Sequence, residues 1–241
     1  DMFPKAGVIH VDTKRAAIGE TTPVRLGIWG DVRASVEAIN GYLEQQGGPQ
    51  KLGFRSAETK NVIAQSRAKQ DGPYVEAPGL LDPRLVVNEL NRLLPRERIV
   101  AICSGHFMNF VADRLEVPEP ESFVWGASFG SLGGGIPLGV GAAMGRSDRH
   151  CVVFVGDGGF LMCPQELDTA VRHRVPMTFV VMNDGAYGAE VHFLTNKRKP
   201  THMAFFETPN LADIATAYGA IGRTVRTESE LREAAKLAGQ G

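Results

Sequence analysis

The chain has 241 residues, of which 43% are hydrophobic and 22% are charged, and its formal net charge is −1. This composition is ordinary for a globular protein with one large or two small domains, and the charge gives no reason to expect a nucleic acid or an anionic membrane as partner. The three cysteines do not suggest a disulfide framework, and no apolar run is long enough for a membrane span, so we expect a cytoplasmic protein.

The first 47 residues predict a small piece of α/β structure. The apolar runs Gly7–Val11 and Val24–Trp29 predict two strands, and Asp31 is a good N-cap for a helix that Gly47 ends. The apolar face of this helix consists of Val32, Val36, Ile39 and Leu43. Because so short a segment cannot form a core alone, we expect the chain to be a fragment, or the remainder to lie elsewhere.

Residues 48–80 are rich in Gly, Pro, Gln, Lys and Arg and predict an interdomain linker, with a short helix around Ala57–Ala68. Asp82 then caps a predicted helix, and Arg98–Cys103 predicts a strand. These features place the start of a second domain, residues 81–241, near Asp82.

The most informative stretch begins with a strand, Cys151–Val155, that we expect to be buried on both faces. It ends in a glycine-rich turn around Asp157, and a helix at about Gln165–His173 separates it from a second buried strand, Met177–Met182. Asp184 follows that strand. One strand-helix-strand crossover places two parallel strands side by side or nearly so, which lets the two carboxylates share one Mg²⁺ or Ca²⁺ ion that also binds phosphate oxygens.

The motifs Gly156-Asp157-Gly158, Gln165-Glu166-Leu167 and Asn183-Asp184, at this spacing, resemble the thiamine-diphosphate signature of the acetolactate synthase, pyruvate oxidase and pyruvate decarboxylase family. The first 47 residues resemble the last third of that family's central domain. The resemblance implies an α/β fold with a doubly wound parallel sheet, the thiamine-diphosphate-binding fold, preceded by an incomplete Rossmann-like central-domain segment.

The resemblance also implies the ligands of the metal ion, which are the side chains of Asp157 and Asp184 and the backbone carbonyl of Ala186. Relatives more often have asparagine at the position of Asp184. The extra negative charge should bind a divalent ion more strongly but repel the diphosphate, which leaves its net effect on cofactor affinity open.

Further site residues follow from the same resemblance. Leu132, in the Gly- and Ala-rich segment 126–144, corresponds to the residue that wedges between the two cofactor rings, and the carbonyl of Gly130 would accept a hydrogen bond from the pyrimidine amine. The implied cofactor contacts are Gly105, His106, Gly130, Leu132, Gly156, Asp157, Gly158, Gly159, Asp184, Ala186, Tyr187 and Gly188. For His106 the alternative is that it satisfies loop carbonyls, and for Leu132 that it is an ordinary core residue.

Glu190 is the candidate for proton transfer. It occupies a position where pyruvate decarboxylase-like relatives carry a glutamate, whereas acetolactate synthases usually have an aliphatic residue there. A carboxylate beside the substrate and away from bulk water would have a raised pKa. The alternative is that Glu190 begins a helix and favours only its dipole.

Toward the end of the chain, Asn210–Tyr218 predicts a helix and Ala220–Val225 a strand. Thr227 and Glu230 form a predicted capping box for the last helix. Relatives place one more buried strand after that helix, so we expect the C-terminus to be cut.

The resemblance implies cleavage or formation of C–C bonds in 2-oxo acids, dependent on thiamine diphosphate and Mg²⁺, by a decarboxylase or an acetolactate-synthase-like carboligase that can use an aldehyde acceptor. A pyrimidine-binding domain, on this chain or another, would supply the activating glutamate, and a homodimer or homotetramer is implied. The alternatives are the diphosphate-binding subunit of a two-chain enzyme and a non-catalytic module with the same fold.

Overall fold

The computed structural model describes residues 6–48, 55–70, 72–75, 77–127 and 129–239. The chain divides into two compact units, Asp1–Gly72 and Pro73–Gly241. Some residues of the predicted linker, namely 49–54, 71 and 76, lie outside the described residues.

The first unit contains two parallel strands, β1 (Ile9–Asp12) and β2 (Leu26–Trp29), and two helices, α1 (Val32–Gln45) and α2 (Ala57–Gln70). The predicted cap of α1 is confirmed, because the Asp31 carboxylate accepts a hydrogen bond from the backbone N–H of Ala34 at 2.9 Å. Helix α2 lies within the predicted linker and covers the helix expected there. No residue in the ranges 6–48 and 55–66 is buried, and the apolar face of α1 is exposed.

The second unit is built on a parallel sheet. Its strands are β3 (Arg98–Ile102), β4 (Phe123–Trp125), β5 (His150–Gly156) and β6 (Met177–Met182), and their spatial order is β4-β3-β5-β6. Strands β5 and β6 are direct neighbours, as predicted, with Val153 opposite Phe179. The predicted α/β fold with parallel strands is therefore confirmed.

The helices of this unit pack around the sheet. Their bounds are α3 (Pro83–Leu93), α4 (Met108–Arg114), α5 (Gly135–Gly145), α6 (Asp157–Met162), α7 (Glu166–Arg172), α8 (Gly188–Asn196), α9 (Leu211–Ala217) and α10 (Glu228–Ala238). Helix α5 packs against β3, β4 and β5, and α3 packs against α4 and α10. The capping box of α10 is confirmed, with Thr227 and Glu230 each bonded to the other's backbone N–H.

Burial is highest along the central strands. Residues 151–155 of β5 and all of β3 are buried, which agrees with the buried strand predicted from the apolar run. Strand β6 was also expected to be buried, but all of its residues are only half-buried. The reason is that β6 has a neighbour on one side only among the described strands.

The strand predicted at Ala220–Val225 is wrong. Residues 220–225 belong to none of the described strands, and Ile221 is 79% exposed. An apolar, β-branched run forms a strand only where a neighbour offers a row of hydrogen bonds. None of the described strands forms a ladder with this segment.

Candidate cofactor site

The site is centred on Asp157, which follows β5 and begins α6. Asp157 is buried, with only 1% of its surface exposed. One carboxylate oxygen, Oδ1, accepts a hydrogen bond from the N–H of Gly158 at 2.7 Å, and the other, Oδ2, accepts from the N–H of Gly185 at 2.8 Å. The carboxylate thus joins the start of α6 to the turn after β6.

Asp184 lies in the second of these turns and is exposed. Its Oδ1 accepts a hydrogen bond from the N–H of Ala186 at 3.2 Å. Burial raises the pKa of Asp157, and the nearby Asp184 carboxylate raises it further, whereas backbone hydrogen bonds from Gly158, Gly185 and Ala186 act in the opposite direction. Two acidic side chains are therefore held close to one turn.

These two carboxylates fit a divalent cation. In the part of the chain that the structure describes, neither Asp157 nor Asp184 forms an ion pair with a basic side chain. A buried carboxylate without a countercharge is costly, and a bound cation would offset that cost. Hard oxygen donors of this kind suit Mg²⁺ or Ca²⁺.

The backbone carbonyl of Ala186 is the third ligand that the family resemblance implies. Residue 186 forms an isolated antiparallel bridge with Phe205. That bridge uses the carbonyl of Gly185 and the N–H of Tyr187, which bond to Phe206 and Ala204. The Ala186 carbonyl takes part in neither bond. Among the described residues no group of three or more His, Cys, Asp or Glu side chains could hold a metal ion, so a metal here would depend on backbone and cofactor oxygens as well.

The loop that carries Gly130 and Leu132 packs on the first turn of α6. Gly133 has a left-handed φ of +78°, and a Cβ atom at this position would lie 2.9 Å from the carbonyl oxygen of Gly159. The N–H of Gly133 also donates to Sγ of Cys103 at 3.0 Å. Leu132 therefore precedes Gly133, which is in close contact with the first turn of α6. Leu132 itself is 38% exposed.

His106 lies in the loop after β3 and is half-buried. Burial, followed by repulsion from His192, lowers its pKa, while the Asp184 carboxylate has the opposite effect. Gly188, the first residue of α8, lies against both His106 and Asp184. The structure thus brings His106, Asp184 and Gly188 together.

Tyr187 covers the glycine-rich turn. Its ring lies against Gly158, where it leaves no room for a Cβ atom, and its centroid is 5.0 Å from that of Phe206. Glu190, by contrast, is exposed in the first turn of α8, and its side chain has no hydrogen bond to a described residue. The other predicted contacts lie at the carboxyl ends of the strands. Gly105 is in the loop after β3, Gly130 is in the loop after β4, and Gly156 is the last residue of β5.

Three contacts of this arrangement were not predicted from the sequence. Gly185 supplies a backbone donor to Asp157, Gly133 makes the close backbone contact with Gly159, and His192 stacks on His106. Only His192 has a sequence signal, because it follows Gly188 by four positions on a helix and therefore shares its face.

A parallel sheet with acidic side chains at neighbouring carboxyl ends is typical of proteins that bind phosphorylated ligands through a cation. The family model described as "Thiamine pyrophosphate enzyme, C-terminal TPP binding domain" matches residues 104–241. The chain belongs to this family of thiamine-diphosphate-dependent enzymes.

Individual relatives agree with this assignment. The chain is 30% identical to a putative acetolactate synthase large subunit of Mycobacterium tuberculosis, over 95% of this chain and 40% of that protein. It is also 30% identical to a sulfoacetaldehyde acetyltransferase of Alcaligenes xylosoxydans xylosoxydans, over 93% of this chain and 41% of that protein. The chain thus spans about 40% of the length of these relatives.

A solved structure has the same fold. The thiamine diphosphate-dependent 4-hydroxybenzoylformate decarboxylase of Rhodococcus jostii RHA1 superposes with a TM-score of 0.75, over 98% of this chain and 42% of that chain. Its sequence identity of 21% limits this likeness to the fold. In the described residues, no helix is both long and apolar enough to cross a membrane.

Proposed function

We propose that the chain binds thiamine diphosphate through a divalent cation and takes part in cleaving or forming C–C bonds of 2-oxo acids. The observation that carries this proposal is the Asp157 carboxylate, which is buried, joins two strand-end turns and has no basic partner among the described residues. The family membership and the acetolactate synthase relatives support the choice of cofactor and reaction.

The residues of the chain have separate tasks in this proposal. Asp157, Asp184 and the Ala186 carbonyl hold the cation, and the glycine-rich turns let backbone N–H groups approach the diphosphate. Leu132 orients the cofactor rings. When bound, thiamine diphosphate supplies a nucleophilic carbon and an electron sink for the bond next to the substrate carbonyl. Glu190, which is exposed in the first turn of α8, passes a proton to or from the substrate.

We propose that a pyrimidine-binding domain, on a longer form of this chain or on another chain, completes the site, and that the assembly is a homodimer or homotetramer. The substrate is a 2-oxo acid, with a second 2-oxo acid or an aldehyde as acceptor in a carboligase. The acetolactate synthase relatives support a carboligase, whereas a glutamate at position 190 supports a decarboxylase.

Calorimetric titration of the purified protein with thiamine diphosphate, with and without Mg²⁺, tests the proposal. We expect binding that requires the cation and is abolished by Asp157→Ala, because this change removes a charged ligand from the centre of the site. Asp184→Asn should be milder, since it keeps an oxygen ligand. Asp213→Ala, which alters an exposed acid on α9, is the matched control. Unchanged affinity in Asp157→Ala would refute the site.

A further inference from the structure

His106 is held between two rings from different elements. The ring of His192, on α8, stacks on it with a centroid distance of 4.2 Å and an angle of 37° between the planes. The ring of Phe110, on α4, meets it edge-on, with a centroid distance of 5.5 Å and an angle of 88°. Contacts of this kind, on a face and at an edge, restrict the rotation of the His106 side chain.

Helix α8 is fixed against the same loop by its first residue. A Cβ atom at Gly188 would lie 2.8 Å from Oδ2 of Asp184 and 3.3 Å from Cβ of His106. His192 follows Gly188 by four positions, so the two residues lie on one face of α8. The packing of α8 thus sets the position of the His192 ring relative to both His106 and Asp184.

The ring contacts leave the polar atoms of both histidines available. In the part of the chain that the structure describes, no ring nitrogen of His106 or His192 has a hydrogen-bond partner. His192 is exposed, whereas His106 is half-buried beside the Asp184 turn. The His106 imidazole is therefore oriented by packing and is free to donate a hydrogen bond to a ligand.

We propose that His192 is a positioning residue for cofactor binding: its ring fixes the His106 imidazole so that His106 donates a hydrogen bond to an oxygen of the diphosphate. This role rests on the proposed function, since it requires a diphosphate beside Asp184. In this role His192 affects cofactor affinity only by holding the His106 ring. The contact depends on the aromatic face of His192 and not on its ring nitrogens.

A double-mutant cycle in the purified protein tests this role, with calorimetric affinities for thiamine diphosphate at saturating Mg²⁺. We expect His106→Ala and His192→Ala each to weaken binding about tenfold, the size expected for losing one hydrogen bond to a charged group. His192→Phe keeps the stacked face and should stay within about threefold of the wild type. In the His106→Ala background, His192→Ala should have no further effect.

The controls separate this role from folding and from the proposed function. His173→Gln changes an exposed histidine at the end of α7 and should leave affinity unchanged. His192→Gln is a second variant without a ring, and we expect it to weaken binding as much as His192→Ala does. It is used in place of His192→Ala if the alanine variant has a lowered thermal midpoint.

Other results would overturn either the role of His192 or the proposed function. A wild type that does not bind thiamine diphosphate overturns the proposed function. A wild type that binds, with His192→Ala at wild-type affinity, overturns only the role of His192. The role is also overturned if His192→Phe is as weak as His192→Ala, or if His192→Ala weakens binding equally when His106 is absent.

Discussion

Asp157 and Asp184 place two negative charges at one strand-end turn. Burial and the neighbouring carboxylate both raise the pKa of Asp157, which means that its ionised form is disfavoured in the chain without a ligand. Backbone N–H groups from Gly158 and Gly185 offset part of this cost. Such an arrangement is costly for stability alone and becomes favourable when a cation is bound.

A substitution of Glu190 tests whether the reaction is a decarboxylation that needs this carboxylate. If it transfers a proton in a decarboxylase, Glu190→Gln should reduce aldehyde release from the best 2-oxo acid by about 10²-fold or more, and change cofactor affinity little. The physical reason is that the amide cannot carry the proton, whereas the first turn of α8 is retained. Steady-state aldehyde formation and calorimetric affinity, measured on the same variant, give the two quantities.

Glu207→Gln, a change at another exposed glutamate of the same unit, is the control for this measurement. Turnover equal to that of the wild type in Glu190→Gln would remove Glu190 from the mechanism. The remaining role would be a favourable interaction with the helix dipole, which the exposed position in the first turn of α8 permits. The carboligase reaction would then be favoured.

The loop before α5 and the helix itself offer a matched pair of glycines. Gly133 has a φ of +78° and no room for a Cβ beside the Gly159 carbonyl, whereas Gly141 lies within α5 with nothing within 4 Å of its Cβ position. We expect Gly133→Ala to destabilise the fold by about 1–3 kcal/mol. Gly141→Ala should stabilise it by about 0.5–1 kcal/mol because alanine favours the helix.

Urea unfolding of the two glycine variants measures both effects. Gly133→Ala should also weaken binding of thiamine diphosphate, since the loop packs on the Asp157 turn, while Gly141→Ala should leave it unchanged. Equal stability of Gly133→Ala and the wild type would mean that the loop is not held by this backbone contact.

The start of α3 depends on Asp82, which is 7% exposed. Its carboxylate accepts hydrogen bonds from the N–H groups of Val75 and Arg84, both at 2.8 Å, and pairs with the Arg84 guanidinium. The Arg84 side chain is the main cause of a pKa lowered from 3.8 to about 2, and burial acts in the opposite direction. The ionised Asp82 carboxylate thus stabilises the start of α3, both as the helix cap and as the partner of Arg84.

The sign of the pH dependence follows from this lowered pKa. Because the folded-state pKa lies below the unfolded value, the contribution of Asp82 is complete above pH 3.8 and is lost as the pH falls toward about 2. We expect Asp82→Asn to be less stable than the wild type by about 1–2 kcal/mol at neutral pH. The difference should shrink below pH 3 in urea unfolding, and a pH-independent difference would contradict the ionic role.

All candidate site residues belong to the second unit of the chain. We propose that residues 1–47 are the end of a central domain, that 48–80 link the domains and that 81–241 form the diphosphate-binding domain. A ligand stabilises the parts of a protein that bind it, because it binds the folded state alone. The site geometry therefore predicts where cofactor binding should slow amide hydrogen exchange.

Hydrogen exchange with and without thiamine diphosphate and Mg²⁺ measures this distribution. We expect added protection in three segments, residues 104–107, 156–159 and 183–188, and none in α1. Asp157→Ala, which lacks a ligand of the cation, should show no added protection in any of them. Protection that appears first in α1 would place the binding site outside the second unit.

Local features of the fold could be predicted from the sequence. The buried run of β5, the cap of α1 by Asp31 and the capping box of Thr227 and Glu230 each depend on residues a few positions apart. The neighbouring positions of β5 and β6 also followed, because a single crossover connects them. These elements were enough to place Asp157 and Asp184 at one edge of a sheet.

Other features depend on contacts between distant parts of the chain. In the strand order β4-β3-β5-β6 the apolar run of β6 is half-buried, and residues 220–225 pair with none of the described strands. The contact of Gly133 with Gly159 and the stacking of His192 on His106 join segments far apart in sequence. Hydrophobic periodicity determines which residues can form an element, but only tertiary packing determines which element lies beside it.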